Sequence, residues 1–251
     1  MTTQICAFTT LLYGGTGTYK TTNAGQFAQY IMERYGKKTR YVTAEAAGIE
    51  PMTPYIKSGF VIPLFFSQAL QPRSAMKKLV RGCWPRGIDA NGRPTNDPEK
   101  VVRLAWRDDQ KRDFMLSPQE LQETGAYIFE GLTSIDELCL DQVAKSGFIH
   151  RTTGTETGMA STGYEEEGEV LASNQKSHYG AVQRDTLAWL EEAPKQLFVA
   201  SLGSVQHILW TAHEAKGEDE FGGRTVYGVG SAGKAIIRDI ERKVGALLHT
   251  Q

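Results

Sequence analysis

Long hydrophobic runs are missing from the sequence. No apolar stretch approaches the roughly 20 residues that a helix needs to cross a bilayer. The segment Met1–Gln4 carries no basic cluster, so a signal peptide is not expected either. These absences argue against a membrane or secreted protein and predict a cytoplasmic one.

Cysteine is also scarce. Cys6, Cys83 and Cys139 lie far apart, and their spacing matches neither a metal site nor a disulfide framework. Three such residues are most simply buried small apolar side chains, which is typical of a protein from a reducing compartment.

An excess of charge of either sign is missing too. The chain has 28 Lys and Arg against 29 Asp and Glu, for a formal net charge of −1. A protein that binds nucleic acid over much of its surface would be strongly basic. Any nucleic-acid site must therefore be a local patch.

The hydrophobic pattern that is present predicts an α/β fold. A buried strand over residues 5–13 stops at Gly14 and Gly15, and an amphipathic helix follows with Gly36 as its C-cap. A second strand over 40–44 completes the opening of a parallel sheet. Further buried strands are predicted at 60–66, 126–129 and 205–211.

The rest of the chain predicts a single domain over 1–251 with excursions. A polar insertion is expected at about 70–125, and a mobile loop rich in Thr, Ser, Gly and Glu at about 151–177. A second glycine-rich loop is expected at 217–233, and a helix or strand pair at 234–248.

A phosphate-binding pattern stands between the first strand and the first helix. The P-loop (Walker A) pattern is G-x-x-x-x-G-K-[ST]. The chain matches the first glycine, the lysine and the threonine, and reads Gly14-Gly15-Thr16-Gly17-Thr18-Tyr19-Lys20-Thr21-Thr22. Backbone N–H groups would cradle the phosphates of ATP, Lys20 would reach the β- and γ-phosphates, and the Thr21 hydroxyl would bind Mg²⁺. The alternative is a glycine turn without a ligand.

Tyr19 replaces the second glycine of the pattern. Glycine is required only where φ is positive, so a tyrosine is acceptable if this residue already has helical φ and ψ. The deviant loop of partitioning ATPases also contains Gly-Gly-Thr-Gly, but its lysine directly follows that sequence. Here Thr18 and Tyr19 intervene, which excludes that loop.

The order of these motifs resembles the RecA-like P-loop ATPases. In that family the second strand ends in hydrophobic-Asp-Ala-Glu, and here it ends in Val42-Thr43-Ala44-Glu45. The resemblance implies that Glu45 polarises the attacking water. It also implies a mainly parallel central sheet flanked by helices.

Two more site residues follow from this resemblance. The segment 127–130, Tyr-Ile-Phe-Glu, stands where the family has its Walker B strand, so Glu130 would help to hold Mg²⁺. Asp141 is a rival within a helical pattern. The strand 208–213 resembles one that ends in a polar γ-phosphate sensor, which implies that role for His213.

The phrases Tyr-Lys-Thr-Thr and Phe129-Glu130-Gly131-Leu132-Thr133-Ser134 resemble a bacteriophage branch of these ATPases, linked to single-strand annealing and recombination. The resemblance implies ATP hydrolysis on single-stranded DNA in the bacterial host cytoplasm. It also implies a homo-oligomer, either a ring or a filament. Loops 151–177 and 215–233 would face the DNA, and the basic stretch 73–86 is a further candidate.

The alternative is a nucleotide-switched assembly or packaging component that binds protein and not DNA. The near-neutral net charge and the acidic run 165–167 favour it. Near the carboxyl end of the chain, four cations could act on a neighbouring subunit's γ-phosphate: Lys234, Arg238, Arg242 and Lys243.

Overall fold

The computed structural model describes residues 6–45, 49–66, 69, 71–95, 100–146, 151–152, 155–156, 167–218, 225–230, 239–240 and 242–250. Its strands are β1 (Phe8–Gly14), β2 (Lys38–Thr43), β3 (Val61–Phe65), β4 (Arg86–Ile88), β5 (Pro94–Thr95), β6 (Arg103–Ala105), β7 (Thr124–Glu130), β8 (Arg151–Thr152), β9 (Thr155–Glu156), β10 (His207–Glu218), β11 (Thr225–Val229) and β12 (Ala246–Thr250). Its α-helices are α1 (Lys20–Tyr35), α2 (Thr53–Lys57), α3 (Pro72–Leu79), α4 (Pro118–Gln122), α5 (Leu132–Ser146) and α6 (Glu167–Ala200).

The central sheet is mainly parallel. Its strands run in the order β12-β1-β10-β7-β2-β3 and all six pair in parallel, while β11 pairs antiparallel with the end of β10. Helices connect the strands and cover the sheet. This confirms the α/β class and the mainly parallel sheet that a RecA-like domain was predicted to have.

Helix α1 follows directly from the sequence pattern. It buries Ala24, Gly25, Ala28 and Ile31 on one face, as the apolar spacing predicts. Gly36 ends it with φ 65°, and its N–H donates to Met32 O at 2.8 Å, as expected for a glycine C-cap.

Two hydrophobic cores lie against the sheet. The larger contains residues of α3, α5 and α6, with Phe129 stacked on Trp210 at a centroid distance of 4.3 Å. The smaller one packs Ala24 and Ala28 of α1 against Tyr41 and Ile128. The two cores fix the strand positions, and thereby the edge at which the strands end.

The segment predicted to be a polar insertion at about 70–125 contains α3, α4 and a small antiparallel sheet in the order β5-β4-β6. Ser117 and Glu120 form a capping box at the start of α4.

Other predicted boundaries differ from the structure. Residues 167–177, assigned from the sequence to a long loop, form the first turns of α6, while 153–154 and 157–166 lie outside the described residues. The predicted loop at 217–233 contains β11, because the end of β10 and β11 pair as an antiparallel ribbon. Of the helix or strand pair predicted at 234–248, residues 234–238 and 241 lie outside the described residues, and the described carboxyl end forms β12 beside β1. Within the described part of the chain, no helix has the length and apolarity needed to cross a bilayer.

Candidate functional site

The carboxyl ends of four parallel strands meet at one edge of the sheet. Gly14 at the end of β1 pairs in register with His213 on β10, and Thr43 at the end of β2 pairs with Glu130 on β7. Ligands of open α/β sheets bind at this edge. Here it carries a cleft of about 420 Å³, lined by residues 16–22, Glu45, Glu130 and His213, among others.

The loop between β1 and α1 forms one wall of the cleft. Lys20 Nζ donates hydrogen bonds to the carbonyl oxygens of Gly14 at 3.0 Å and of Gly15 at 2.7 Å. Gly17 has φ 79° and no atom within 4 Å of the position of a Cβ, which suits a backbone that must turn around a ligand. Burial lowers the pKa of Lys20, and the nearby carboxylates of Glu45, Glu130 and Glu214 act in the opposite direction.

Tyr19 does not have the helical φ and ψ that we expected of a tyrosine at this glycine position. Its φ is 58° and its ψ is 21°, in the left-handed region. The expectation of helical φ and ψ was therefore wrong: the position keeps the conformation that favours glycine, although a tyrosine occupies it.

Thr21 and Glu130 meet in the floor of the cleft. The Thr21 hydroxyl donates to Glu130 Oε1. Glu130 is 4% exposed, and its other oxygen, Oε2, is buried without a hydrogen-bond partner among the described residues. Burial raises the pKa of Glu130 to about 7, against an ordinary value of 4.5.

An unpartnered buried carboxylate oxygen beside a threonine hydroxyl fits a hard cation. Mg²⁺ takes one or two protein ligands and completes its shell with water and phosphate oxygens. No group of three or more His, Cys, Asp or Glu suited to a metal occurs in the described ranges, so a cage made by protein alone is not present there.

Glu45 follows β2 and is held in place by residues of β2, α5 and β10. Its N–H donates to Thr43 Oγ1 at 3.0 Å, which fixes the turn after the strand. Its Oε1 accepts from Ser134 Oγ at 2.8 Å and lies 3.0 Å from His213 Nε2. The hydrogen bond with His213 lowers the pKa of Glu45, and the same hydrogen bond raises the pKa of His213.

His213 is fixed from the backbone side. Its N–H donates to Thr133 Oγ1 at 3.1 Å, and its carbonyl oxygen accepts from Gly230 N at 2.6 Å. Thr133 Oγ1 in turn donates to Gly230 O at 2.7 Å. These backbone hydrogen bonds hold His213 in the position from which its ring contacts Glu45.

Three residues of this site were not assigned a role from the sequence. Thr133 and Ser134 belong to a segment that was considered only for its resemblance to the phage ATPases. Their position just after the strand that ends in Glu130 could have indicated a place in the site. Thr250 carried no local signal. Its hydroxyl lies 2.9 Å from Thr18 Oγ1 and donates to Tyr13 O at 3.2 Å, so β12 contacts the loop.

The structure therefore brings together the side chains predicted to act on the nucleotide and its metal, while Gly14 and Gly15 of the predicted loop are not among the residues that line the cleft. Glu45, Lys20, Thr21, Glu130 and His213 line one cleft. Asp141, the rival to Glu130, lies within α5 and away from the carboxyl end of any strand.

Three of the five cations in the basic stretch 73–86 form ion pairs with other segments. Arg73 Nε lies 2.6 Å and Lys77 Nζ 3.8 Å from Asp185, and Lys78 Nζ lies 2.7 Å from Asp113. These ion pairs remove three of the stretch's cations from those free to meet a nucleic-acid backbone.

Two of the four candidate trans-acting cations lie within the described residues and two do not. Lys234 and Arg238 lie outside the described residues. Lys243 Nζ lies 2.5 Å from Glu191 Oε2, close to Gly245, whose N–H donates to Thr9 O. That is the amino end of β1, about 20 Å along the strand from the cleft, so Arg242 and Lys243 do not reach their own subunit's cleft.

No protein-family model matches the chain, and no curated protein sequence matches it. Among solved structures, the flagellar accessory protein FlaH from Methanocaldococcus jannaschii is similar at 8% identity and a TM-score of 0.42, over 98% of this chain and 72% of that one. A KaiC-like protein from Pyrococcus horikoshii OT3 is similar at 15% identity and a TM-score of 0.41, over 98% and 73%. Similarities this low carry no argument about function.

Proposed function

We propose that this chain is a RecA-like ATPase that binds a nucleoside triphosphate, ATP, through the loop Gly14–Thr22 and hydrolyses it. One observation carries the proposal. A P-loop lysine and threonine share a cleft with two glutamates and a histidine, at the carboxyl edge of a parallel sheet. A glycine turn without a ligand would not need these side chains around it.

In this proposal Lys20 binds the β- and γ-phosphates. Its ammonium now satisfies two loop carbonyls, and a triphosphate would offer oxygens with full charge in their place. The first residues of α1 line the same cleft, so their free N–H groups would complete the anion site.

Glu45 would act on the attacking water. Water attacks the γ-phosphorus, the bond from that phosphorus to the bridging oxygen breaks, ADP leaves, and Glu45 accepts the proton from the water. The lowered pKa of Glu45 keeps its carboxylate ionised and able to accept that proton. His213, which lies 3.0 Å from Glu45, would respond to the γ-phosphate and thereby link its presence to the orientation of Glu45.

Thr21 would ligate Mg²⁺ directly, and Glu130 would hold it through water. When bound, the ion would offset the negative charge that develops on the phosphates. The buried, unpartnered Oε2 of Glu130 supports this assignment.

The proposal has two candidates for the macromolecule on which the ATPase acts. The resemblance to the phage branch favours single-stranded DNA, in recombination or replication. The ion pairs of Arg73, Lys77 and Lys78 favour the second candidate, an assembly or packaging component that binds protein. Faster ATP turnover with single-stranded DNA, falling steeply with salt, would support the first, and turnover indifferent to DNA the second.

The Glu45→Gln variant tests the enzymatic claim. We expect ATP binding to be kept and single-turnover hydrolysis to fall by about 10²-fold or more, because the amide cannot accept the proton. Binding and hydrolysis should be measured separately on the purified protein with Mg²⁺. Glu33→Gln, on the outer face of α1, is the matched control and should match the wild type.

If bound ATP turns over in the Glu45→Gln protein as fast as in the wild type, Glu45 has only a structural role. If the wild type itself shows no hydrolysis beyond that of Lys20→Ala, the enzymatic proposal is wrong.

A further inference from the structure

Tyr19 combines features that its own chain does not explain. It occupies a left-handed conformation, with φ 58° and ψ 21°, in which a residue with a Cβ is strained. Its side chain is nonetheless 72% exposed. In the part of the chain that the structure describes, no hydrogen bond, ion pair or ring contact holds that side chain.

Hydrogen bonds hold the backbone at Tyr19 from both sides. The Thr18 hydroxyl donates to Gly15 O at 2.8 Å and contacts Thr250 Oγ1 at 2.9 Å. The carbonyl of Tyr19 itself accepts from Asn23 N at 2.9 Å, which is the first hydrogen bond of α1. The surrounding structure therefore imposes the left-handed backbone on whichever residue stands here.

Glycine would adopt this backbone without strain, and replacing the exposed tyrosine with glycine would remove little buried surface. A large aromatic side chain at this point therefore strains the isolated subunit without adding stabilising contacts to it. Strained residues of this kind cluster at ligand contacts, where the side chain acts on a molecule outside the fold.

The position of Tyr19 indicates which molecule that is. The residue lines the cleft and directly precedes Lys20 and Thr21. We propose that the Tyr19 side chain itself, beyond the backbone of its loop, contacts the bound nucleotide and contributes to its affinity. This inference rests on the proposed function. A phenol supplies both a hydroxyl donor for a phosphate oxygen and an apolar ring for the ribose or base.

Three substitutions of Tyr19 test it together with one control. Tyr19→Gly removes the side chain and the strain, and Tyr19→Ala removes the side chain while keeping a Cβ. Tyr19→Phe removes the hydroxyl alone. Leu202→Gly is the control, because Leu202 is also left-handed, with φ 53°, and 81% exposed, but lies before the amino end of β10, away from the cleft.

We expect Tyr19→Gly and Leu202→Gly each to raise the melting temperature by about 2–4 °C through relief of strain. Only the first should weaken binding. Titration calorimetry with ATP and Mg²⁺ should give a Kd about 3- to 10-fold higher for Tyr19→Gly and for Tyr19→Ala, as expected for one lost contact. A more stable protein that binds less tightly cannot be explained by misfolding.

Tyr19→Phe identifies the group that makes the contact. A Kd raised as far as in Tyr19→Ala assigns it to the hydroxyl, and a Kd like that of the wild type assigns it to the ring. The proposal is overturned if Tyr19→Gly and Tyr19→Ala bind ATP as the wild type does, even if their assembly changes, since Tyr19 would then face a neighbouring subunit. Absence of saturable ATP binding in the wild type would overturn the proposed function itself, and this inference with it.

Discussion

At the scale of single residues, Glu130 is the site side chain whose charge is set by burial. It is buried in the floor of the cleft with one oxygen bound to Thr21 and the other without a partner in the described ranges. Burial disfavours its charged form and raises its pKa to about 7. A cation beside it would favour the charged form, which is what a Mg²⁺ site requires.

This raised pKa makes the stability of the metal-free protein depend on pH. Between about 4.5 and 7 the folded protein keeps a proton that the unfolded chain releases, so the contribution of Glu130 to stability falls as pH rises through that range. We expect Glu130→Gln to be more stable than the wild type at pH 8.5 by on the order of 3 kcal/mol, and by much less at pH 5. Urea unfolding in EDTA at both pH values measures the difference.

A stability gap that is the same at both pH values would contradict the raised pKa. Glu123→Gln, an exposed glutamate near the other end of β7, serves as the control and should show no such gap.

Sequence patterns identified the residues of the site but not all of their contacts. Lys20 and Thr21 follow from the loop pattern alone. The pairing of Glu45 with His213 spans 168 residues and depends on the order of strands in the sheet, which local patterns do not contain. The left-handed backbone of Tyr19 was missed because residue type argued against it, while the contacts of Thr18 and the first turn of α1 impose it.

At the scale of elements, β12 does more than extend the sheet. It pairs in parallel with β1, and this register sets Thr250 beside Gly14. A Cβ on Gly14 would lie 2.3 Å from Thr250 Oγ1, so the absence of a side chain allows this approach. His249 stacks on Tyr13 at 4.8 Å and lies 3.2 Å from Glu214 Oε1. The end of β12 thus holds the start of the phosphate loop.

The contact between Thr250 and Thr18 predicts a specific effect on binding. Thr250→Val keeps the shape but removes the hydroxyl, so the loop loses one anchor, and we expect the Kd for ATP to rise about 3- to 10-fold. Thr250→Ser keeps the hydroxyl and should bind like the wild type. Titration with ATP, together with melting temperatures, separates a change in the loop from a loss of fold. Equal affinities for the two variants would show that the hydroxyl does not position the loop.

The elements themselves were largely predictable because buried strands and amphipathic helices leave apolar patterns. The strands β1, β2, β3, β7 and β10 all fall where such runs stand. The ribbon of β10 and β11 was not predicted, since its polar, glycine-rich sequence resembles a loop. Only the pairing of the two strands in the structure reveals the ribbon. The place of β12 next to β1 likewise follows from the sheet and not from its own residues.

At the scale of the whole molecule, the described part of the cleft offers few positive charges to the γ-phosphate. Among the described residues that line it, Lys20 is the only Lys or Arg. Arg242 and Lys243 lie at the opposite end of β1, away from their own subunit's nucleotide site. A site completed by a neighbour is therefore our prediction.

We expect rings or filaments to form with Mg²⁺ and a slowly hydrolysed ATP analogue, and ATP turnover per subunit to fall on dilution. A trans-acting cation can contribute about 10³-fold or more to turnover. Light scattering and specific activity across a dilution series, with and without single-stranded DNA, measure both effects. A monomer with constant specific activity under all these conditions would exclude a shared site.

The central claim is that the loop Gly14–Thr22 holds a nucleoside triphosphate, and ATP binding by Lys20→Ala tests it most directly. Calorimetric titration with ATP and Mg²⁺ should show saturable binding to the wild type and to Lys57→Ala, a surface control on α2. Lys20→Ala should lose this binding while keeping the melting temperature of a folded protein, because the charge that meets the β- and γ-phosphates is gone. Binding by Lys20→Ala within about threefold of the wild type would contradict the account.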